Sequence, residues 1–114
     1  MIPLTIWVAL LLQPCTIVGT PGPDTLVGRR GNDVICGLGG NDIISGGAGR
    51  NVIRAGAGAD KIQATEGVDT IFAGPGNDTI WAWDGDVDRI DGGSGSDRAY
   101  TNTFDRVTNV ERRS

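Results

Sequence analysis

Aspartate is the residue type whose number and spacing in this sequence indicate a chemical role. The chain has 114 residues, and it contains 12 Asp but only 2 Glu. Carboxylates that recur at a regular spacing suit hard cations such as Ca²⁺, which take six to eight oxygen ligands. Eight of the aspartates and one asparagine recur at intervals of nine or ten residues, and they are Asp24, Asp33, Asp42, Asn51, Asp60, Asp69, Asp78, Asp88 and Asp97.

The composition excludes several other classes of function. The chain has no His, so the commonest general base is absent, and Ser-His, Cys-His and His-ligated metal mechanisms are excluded. We therefore expect no enzyme and no catalytic residue. The formal net charge of -4 disfavours nucleic acid, whose binding needs a basic surface. Hard cations are the better expected partner.

The aspartates belong to a nine-residue repeat that covers residues 19–100 and must position them. Each unit predicts a glycine-rich turn of about six residues and then a three-residue strand, whose middle side chain points inward because side chains alternate along a strand. The fourth position of the units is Gly22, Gly31, Gly40, Gly49, Gly58, Gly67, Gly76, Gly85 and Gly95. The eighth is Leu26, Ile35, Ile44, Ile53, Ile62, Ile71, Ile80, Ile90 and Ala99.

Two such units close one coil of the predicted fold. We expect an all-β parallel β-roll, a β-solenoid of nine glycine-rich half-coils with terminal caps. Unit n then stacks on unit n+2, with strands about 4.8 Å apart. Residues 1–18 are interpreted as an apolar signal-like segment or an N-terminal cap, 19–100 as the β-roll and 101–114 as a C-terminal cap or tail. The apolar run 2–12 is too short to span a bilayer.

The units resemble the G-G-x-G-x-D-x-U-x nonapeptide of the RTX family, the haemolysin-type calcium-binding repeat, as in GLGGNDIIS at 37–45. The resemblance implies a calcium-dependent β-roll in a secreted, extracellular bacterial protein. It also implies that an ion lies between turns n and n+2, each of which contributes backbone oxygens and its sixth-position side chain. Nine turns allow at most seven such sites. The turns of the odd-numbered units form one edge of the roll, the odd edge, and those of the even-numbered units form the other. On the odd edge, the glycines whose backbone oxygens are expected to bind the ions are Gly22, Gly40, Gly58, Gly76 and Gly95.

The two edges of the roll are predicted to be unequal. Odd units combine Asp with small or neutral neighbours, which predicts four strong sites. Even units bring Arg29, Arg30 and Arg50 near the metal, and Asn51 replaces Asp, so weaker binding is expected there. The four strong pairs are Asp24/Asp42, Asp42/Asp60, Asp60/Asp78 and Asp78/Asp97. The best even pair is Asp69 with Asp88, which Asp84 or Asp86 could assist.

Metal is also expected to decide folding, since the stacked aspartates repel one another and ions that bind only the folded form stabilise it.

At the C-terminal end we expect the repeat register to stop after Tyr100. Phe104, Val107 and Val110 should then cover the last coil.

The two cysteines leave two alternatives open. In a regular coil Cys15 and Cys36 are three residues out of register, about 10 Å, whereas a disulfide needs Cα atoms within about 7 Å. An irregular first coil would allow the bridge. Otherwise the two residues form a structural thiol pair.

Outward-facing aromatic residues suggest an alternative function. Phe72, Trp81, Trp83 and Tyr100 could stack on an extracellular polysaccharide or bind a protein partner, which would make the chain an adhesion or carbohydrate-binding accessory module. They could equally contact the C-terminal cap. A secreted calcium-binding module is the leading interpretation.

Overall fold

The structure, a computed structural model, describes residues 14–113, and this part of the chain consists of short β-strands joined by turns, without a helix. The predicted signal-like segment therefore falls mostly outside the described residues. Within them, no helix long and apolar enough to cross a bilayer occurs. The strands are β1 (Ile17–Val18), β2 (Thr25–Val27), β3 (Val34–Cys36), β4 (Ile43–Ser45), β5 (Val52–Arg54), β6 (Lys61–Gln63), β7 (Thr70–Phe72), β8 (Thr79–Ala82), β9 (Arg89–Asp91), β10 (Arg98–Thr101), β11 (Arg106–Thr108) and β12 (Arg112–Arg113).

The strands form two parallel six-stranded sheets, and successive strands alternate between them. One sheet has the order β1-β3-β5-β7-β9-β11 and the other has the order β12-β10-β8-β6-β4-β2. Each strand therefore pairs with the strand two units away, and the register aligns Ile44 with Ile62 and Ile62 with Ile80. This confirms the predicted all-β parallel β-roll in which unit n stacks on unit n+2.

The eighth-position side chains form the core between the two sheets. Seven isoleucines from Ile35 to Ile90, one per unit, are fully buried, and Ala99 continues the column. The first position of four units also contributes small buried side chains, which are Ala55, Ala64, Ala73 and Ala82. Three-residue strands suffice because only the middle residue of each must face the core, while its neighbours face outward.

The β-roll continues past Tyr100, so the prediction that the register stops there is wrong. Val107 in β11 pairs with Ile90, and β12 pairs with β10. Val107 and Val110 pack against the core, but Phe104 is 72% exposed and does not cover the last coil. The reason is that Val107 follows a further Asp by two residues, which repeats the Asp-to-aliphatic spacing of the earlier units.

Cys15 and Cys36 form a disulfide, which decides between the two alternatives that the sequence left open. Their Cα atoms are 5.9 Å apart. Ile17 and Val18 keep the regular register with Ile35 and Cys36, but the chain bends at Thr16. This bend brings Cys15 within reach. The disulfide thus links the irregular segment before the first repeat unit to the second unit.

The close stacking of turns predicts that two glycines with similar backbone angles respond differently to substitution. Gly58 has φ +117°, and a Cβ there would overlap the carbonyl oxygen of Gly40 in the rung below. Gly31 has φ +92°, but among the described residues no atom other than those of Gly31 and its two chain neighbours lies within 4 Å of its Cβ position. Gly31→Ala should cost about 1–2 kcal/mol, the penalty of a left-handed backbone.

Gly58→Ala should cost more, because backbone atoms of a neighbouring rung must also move. The free energy of unfolding, measured by urea titration in saturating Ca²⁺, checks this difference. Equal destabilisation by both variants would contradict the stacking that the structure shows.

Candidate metal centre

The sixth-position side chains are linked along each edge by one recurring hydrogen bond. The backbone N–H of one sixth-position residue donates to the Oδ1 atom of the sixth-position residue in the next coil. On the odd edge this bond is 2.8 Å long between Asp24 and Asp42, Asp42 and Asp60, Asp60 and Asp78, and Asp78 and Asp97. On the even edge it is 2.7–2.8 Å long between Asp33 and Asn51, Asn51 and Asp69, and Asp69 and Asp88.

The second carboxylate oxygen is left without a partner in the interior of each column. Six of these Oδ2 atoms are buried and have no hydrogen-bond partner within residues 14–113, and they belong to Asp42, Asp60, Asp69, Asp78, Asp88 and Asp97. A buried charged oxygen without a partner is costly. Because the donors are all oxygen atoms, a hard cation such as Ca²⁺ fits them.

Burial raises the pKa of the interior aspartates. The main cause is the loss of water around the carboxylates, and neighbouring aspartates on the same edge raise the pKa further. The pKa is raised for Asp42 and Asp97, to about 6 for Asp60 and Asp69, and to about 7 for Asp78 and Asp88. Without a cation, the folded chain therefore binds protons more tightly than an ordinary aspartate does.

The first rung differs, since the protein itself satisfies its carboxylates. Oδ2 of Asp24 accepts a 2.6 Å hydrogen bond from the N–H of Thr20. Asp33 accepts hydrogen bonds from Arg29 and Thr16 and forms a 3.3 Å ion pair with Arg29. Burial alone would raise the pKa of Asp33, but these hydrogen bonds outweigh it and lower the pKa.

Asn51 occupies an aspartate position but offers a different set of atoms. Its Oδ1 accepts the hydrogen bond of the column, while its Nδ2 donates to the carbonyl oxygen of Gly47 at 3.2 Å. The side chain thus preserves the stacking and brings no negative charge to this part of the even edge.

The predicted turn glycines stack directly above one another. In the series Gly40, Gly58, Gly76 and Gly95, the carbonyl oxygen of one glycine lies where a Cβ on the next glycine would be. All four have positive φ. Gly22 does not have positive φ. The glycines thus permit the close approach of the turns, whose carbonyl groups then lie on the same edges as the aspartates.

Sequence reasoning missed the residues that extend the columns at the C-terminal end. Asp105 occupies the sixth position of a further even rung, where its Oδ1 accepts a 2.9 Å bond from Asp88 and its Oδ2 a 2.7 Å bond from Asn102. Glu111 accepts a 3.3 Å bond from the N–H of Asp97. The signal for Asp105 was the Val that follows two residues later, although no glycine turn precedes it.

A second column of side chains, at the fifth position, was also missed. The Oδ1 atom of the residue accepts a hydrogen bond from the backbone of the next coil, at 2.9 Å for Asn32, 2.8 Å for Asn41 and 2.9 Å for Asn77. The signal was the triplet Gly-Asn-Asp, which occurs three times in the sequence. These amides help to hold the turns together beside the column of sixth-position side chains.

The ten-residue unit adds carboxylates to the even edge. One carboxylate oxygen each from Asp69, Asp84 and Asp88 lies within 4.8 Å of the others. Asp86 is not part of this group of three, and its Oδ2 accepts a 2.8 Å hydrogen bond from the N–H of Gly67. Of the two residues that the sequence suggested as assistants, Asp84 is therefore the one in the cluster.

Comparison with known families agrees with this geometry. A sequence profile of the RTX calcium-binding nonapeptide repeat, which spans four copies, matches residues 16–44, 37–67 and 63–99. Together these segments cover well over half of the chain. The chain belongs to the RTX calcium-binding repeat family. No curated protein matches its sequence.

Membership in the RTX family identifies Ca²⁺ as the cation that the repeats bind. The aspartate of the RTX nonapeptide is the sixth-position residue whose second oxygen is buried and unpaired in the interior rungs. This RTX chain departs from that arrangement at Asn51, at the ion-paired Asp33 and at Asp24, whose Oδ2 accepts a hydrogen bond from Thr20.

The raised pKa values predict that acid partly replaces Ca²⁺ in stabilising the RTX fold. The unfolded chain has an aspartate pKa of about 3.9. In the folded chain the pKa is about 6 for Asp60 and Asp69 and about 7 for Asp78 and Asp88. Their contribution to the stability of the ion-free fold is thus fully present below about pH 4 and is lost as the pH rises through about 6 to 7.

In chelator, the β signal in circular dichroism should therefore be larger at about pH 5 than at about pH 8. In saturating Ca²⁺ the trend should reverse, because protons compete with the ion for the same oxygens. Identical spectra of the chelated chain at both pH values would refute this account of the aspartates.

Proposed function

We propose that the chain is a secreted RTX module in which Ca²⁺ binds between turns n and n+2 and thereby drives folding outside the cell. The observation that carries this proposal is the series of buried, unpaired Oδ2 atoms in successive rungs. Each belongs to a side chain whose other oxygen is fixed by a backbone N–H. We propose no catalytic role, since the RTX repeat is a structural calcium-binding element.

Folding depends on Ca²⁺ in this proposal because the folded chain without metal must bury several neighbouring carboxylates. Each buried carboxylate either remains charged at a high cost or takes up a proton. A cation that binds only the folded form removes that cost, so its binding free energy becomes folding free energy. By analogy with extracellular calcium modules, we expect dissociation constants of about 10⁻⁴ to 10⁻³ M.

The Cys15–Cys36 disulfide supports an extracellular location. Disulfides persist in oxidising environments such as the bacterial periplasm and the extracellular space, and they are rare in the reducing cytosol. The combination of a disulfide with calcium-binding repeats favours a protein that completes its folding after export.

Four strong sites on the odd edge remain our proposal, with seven sites at most among the nine units. Asp42, Asp60 and Asp78 support it, since each accepts one hydrogen bond in the column and keeps one buried oxygen for the ion. At the start of the even edge, the positive charge of Arg29 and the neutral amide of Asn51 lower the charge available for Ca²⁺.

This proposal predicts unequal effects for two matched substitutions. Asp60 belongs to two proposed sites, whereas the carboxylate of Asp33 is already paired with Arg29. In a Ca²⁺ titration followed by circular dichroism, wild type should gain β structure. Asp60→Asn should shift the midpoint to a Ca²⁺ concentration at least about tenfold higher, because two sites each lose a charged ligand. Asp33→Asn should shift it less.

The same titration with Mg²⁺ is the control for ion specificity. Mg²⁺ requires a tighter octahedral geometry and retains its water, so it should induce little β structure at equal concentration. A wild-type spectrum that is identical in chelator and in Ca²⁺ would refute calcium-driven folding. Equal shifts for the two variants would refute the proposed difference between the edges.

A second candidate function is favoured by an aromatic groove near the C-terminal end. The rings of Trp81 and Tyr100 stack with centroids 5.9 Å apart on one sheet face. Beside them, a cavity of about 420 Å³ is lined by Trp83, Tyr100 and Phe104. Because Trp83 is 81% exposed and Phe104 72% exposed, these rings could contact a sugar of an extracellular polysaccharide.

This candidate predicts quenching or a shift of tryptophan fluorescence when an oligosaccharide is added to the chain in saturating Ca²⁺. A uronic-acid oligomer and a neutral gluco-oligomer are suitable probes, since Lys61, Arg98 and Arg112 lie along the adjacent groove. Trp83→Ala should abolish the response without changing the Ca²⁺ titration. No response to either probe would leave calcium binding as the only proposed function.

A further inference from the structure

The ten-residue unit 82–91 carries three alternate aspartates, Asp84, Asp86 and Asp88. Asp88 occupies the regular sixth position and Asp84 the third, where the other units have Pro, Arg, Gly, Ala, Glu or Ser. The one comparable acid, Glu66, is exposed. Asp84 is therefore an additional inward carboxylate beside a regular Asp69/Asp88 pair.

The three carboxylates of the cluster share one bonding pattern. In each, Oδ1 accepts a single backbone hydrogen bond, which comes from Asn51 to Asp69, from Asp69 to Asp88 and from Asp86 to Asp84. The Oδ2 atoms are buried and have no partner in the part of the chain that the structure describes. Asp69 and Asp88 are 0% and 1% exposed, so bulk solvent does not reach their carboxylates, whereas Asp84 is half-buried.

Within residues 14–113, no ion pair joins Asp69, Asp84 or Asp88 to a basic side chain. The ion pair between Arg29 and Asp33 lies on the first rung of the same edge, away from the cluster. The turn that carries Asp69 also has a buried hydroxyl oxygen without a hydrogen-bond partner in the described chain, that of Thr65. A cation that enters the cluster would thus meet three carboxylates on the edge that otherwise has the weaker sites.

We propose that Asp69, Asp84 and Asp88 form a three-carboxylate cation site, which binds Ca²⁺ before the two-carboxylate sites and favours trivalent lanthanide ions more strongly than they do. The proposal rests on calcium binding by the repeats and specifies which site binds first. A third carboxylate raises the charge of the ligand set, which is a main determinant of calcium affinity. Among the described residues, no second group of three acidic side chains converges in this way.

This proposal gives the chain an order of assembly. The first ion joins the turns of units 64–72 and 82–91, which lie in the C-terminal half of the roll. The Asp86 hydrogen bond to Gly67 already joins the same two turns. Folding should therefore begin at this rung and proceed toward both ends as the weaker sites fill.

Calorimetric Ca²⁺ titration of the full chain tests the proposal with two matched variants. Asp84→Asn removes one charge of the cluster and retains an oxygen that can accept the Asp86 hydrogen bond. Asp86→Asn removes the same charge two residues away and retains an acceptor for Gly67. We expect the first, tightest binding step to weaken about tenfold or more in Asp84→Asn. In Asp86→Asn it should weaken about threefold or less, because a charge outside the ligand set is partly screened.

The outcomes separate this proposal from calcium binding in general. If wild type binds no Ca²⁺, the proposed function itself fails. If wild type binds Ca²⁺ and the tightest step is unchanged in Asp84→Asn, only the three-carboxylate site is refuted. Asp97→Asn changes the odd edge and should leave the tightest binding step unchanged. Loss of the tightest step in Asp97→Asn would also overturn the proposal.

A measurement on chains with all aspartates intact guards against a folding defect in Asp84→Asn. Tb³⁺ luminescence excited through tryptophan reports an ion close to an indole ring, and Trp83 directly precedes Asp84 in the chain. At the first equivalent of Tb³⁺, Trp83→Phe should lose most of the emission, whereas Trp81→Phe should retain most of it. Retained emission in Trp83→Phe would place the first ion elsewhere and refute the proposal.

Discussion

The hydrogen bond from the backbone of one sixth-position residue to the carboxylate of the next coil is the interaction on which the structure depends. It sets the spacing of successive turns and holds each interior aspartate in a buried position. Since one oxygen is used for the stacking, the other is left in a dry environment with no partner among the described residues. The same contact that builds the roll therefore leaves a buried carboxylate oxygen for a cation, and this is the basis of our proposal that folding and calcium binding are coupled.

The two ends of the roll meet that need differently from its centre. On the first rung, Thr20 donates a hydrogen bond to Asp24, and Arg29 donates one to Asp33. At the other end, Asn102 donates a hydrogen bond to Asp105. These donors are the chain's own replacements for a cation. The interior rungs have no such donors in the described residues, and the pKa of their aspartates is raised by burial. The polypeptide thus supplies hydrogen-bond donors to the carboxylates at the two ends, whereas the interior carboxylates are the ones that we propose bind ions.

Most of the fold could be predicted from the sequence because the repeat is strict in the positions that matter physically. An aliphatic residue such as Ile62 two places after an aspartate defines both the strand and its inward face. What could not be predicted lies where the pattern loses its glycines. Asp105 and Glu111 continue the columns without a glycine turn, and the bend at Thr16 that permits the disulfide has no marker in the residue types. The individual ligands of each ion remain a proposal, since alternate carboxylates such as Asp84 and Asp86 differ only in the direction that the turn gives them.

Amide hydrogen exchange at the sixth-position residues shows whether the stacking hydrogen bonds depend on Ca²⁺. The amides of Asp42, Asp60 and Asp78 each donate to the carboxylate of the next coil, so their exchange reports the stacking bond itself. We expect strong protection of these amides in Ca²⁺ and exchange close to the rate of an unfolded chain after Ca²⁺ is removed by chelator at neutral pH. If the amides remain equally protected with and without Ca²⁺, the roll is held together by the polypeptide alone and the account is contradicted.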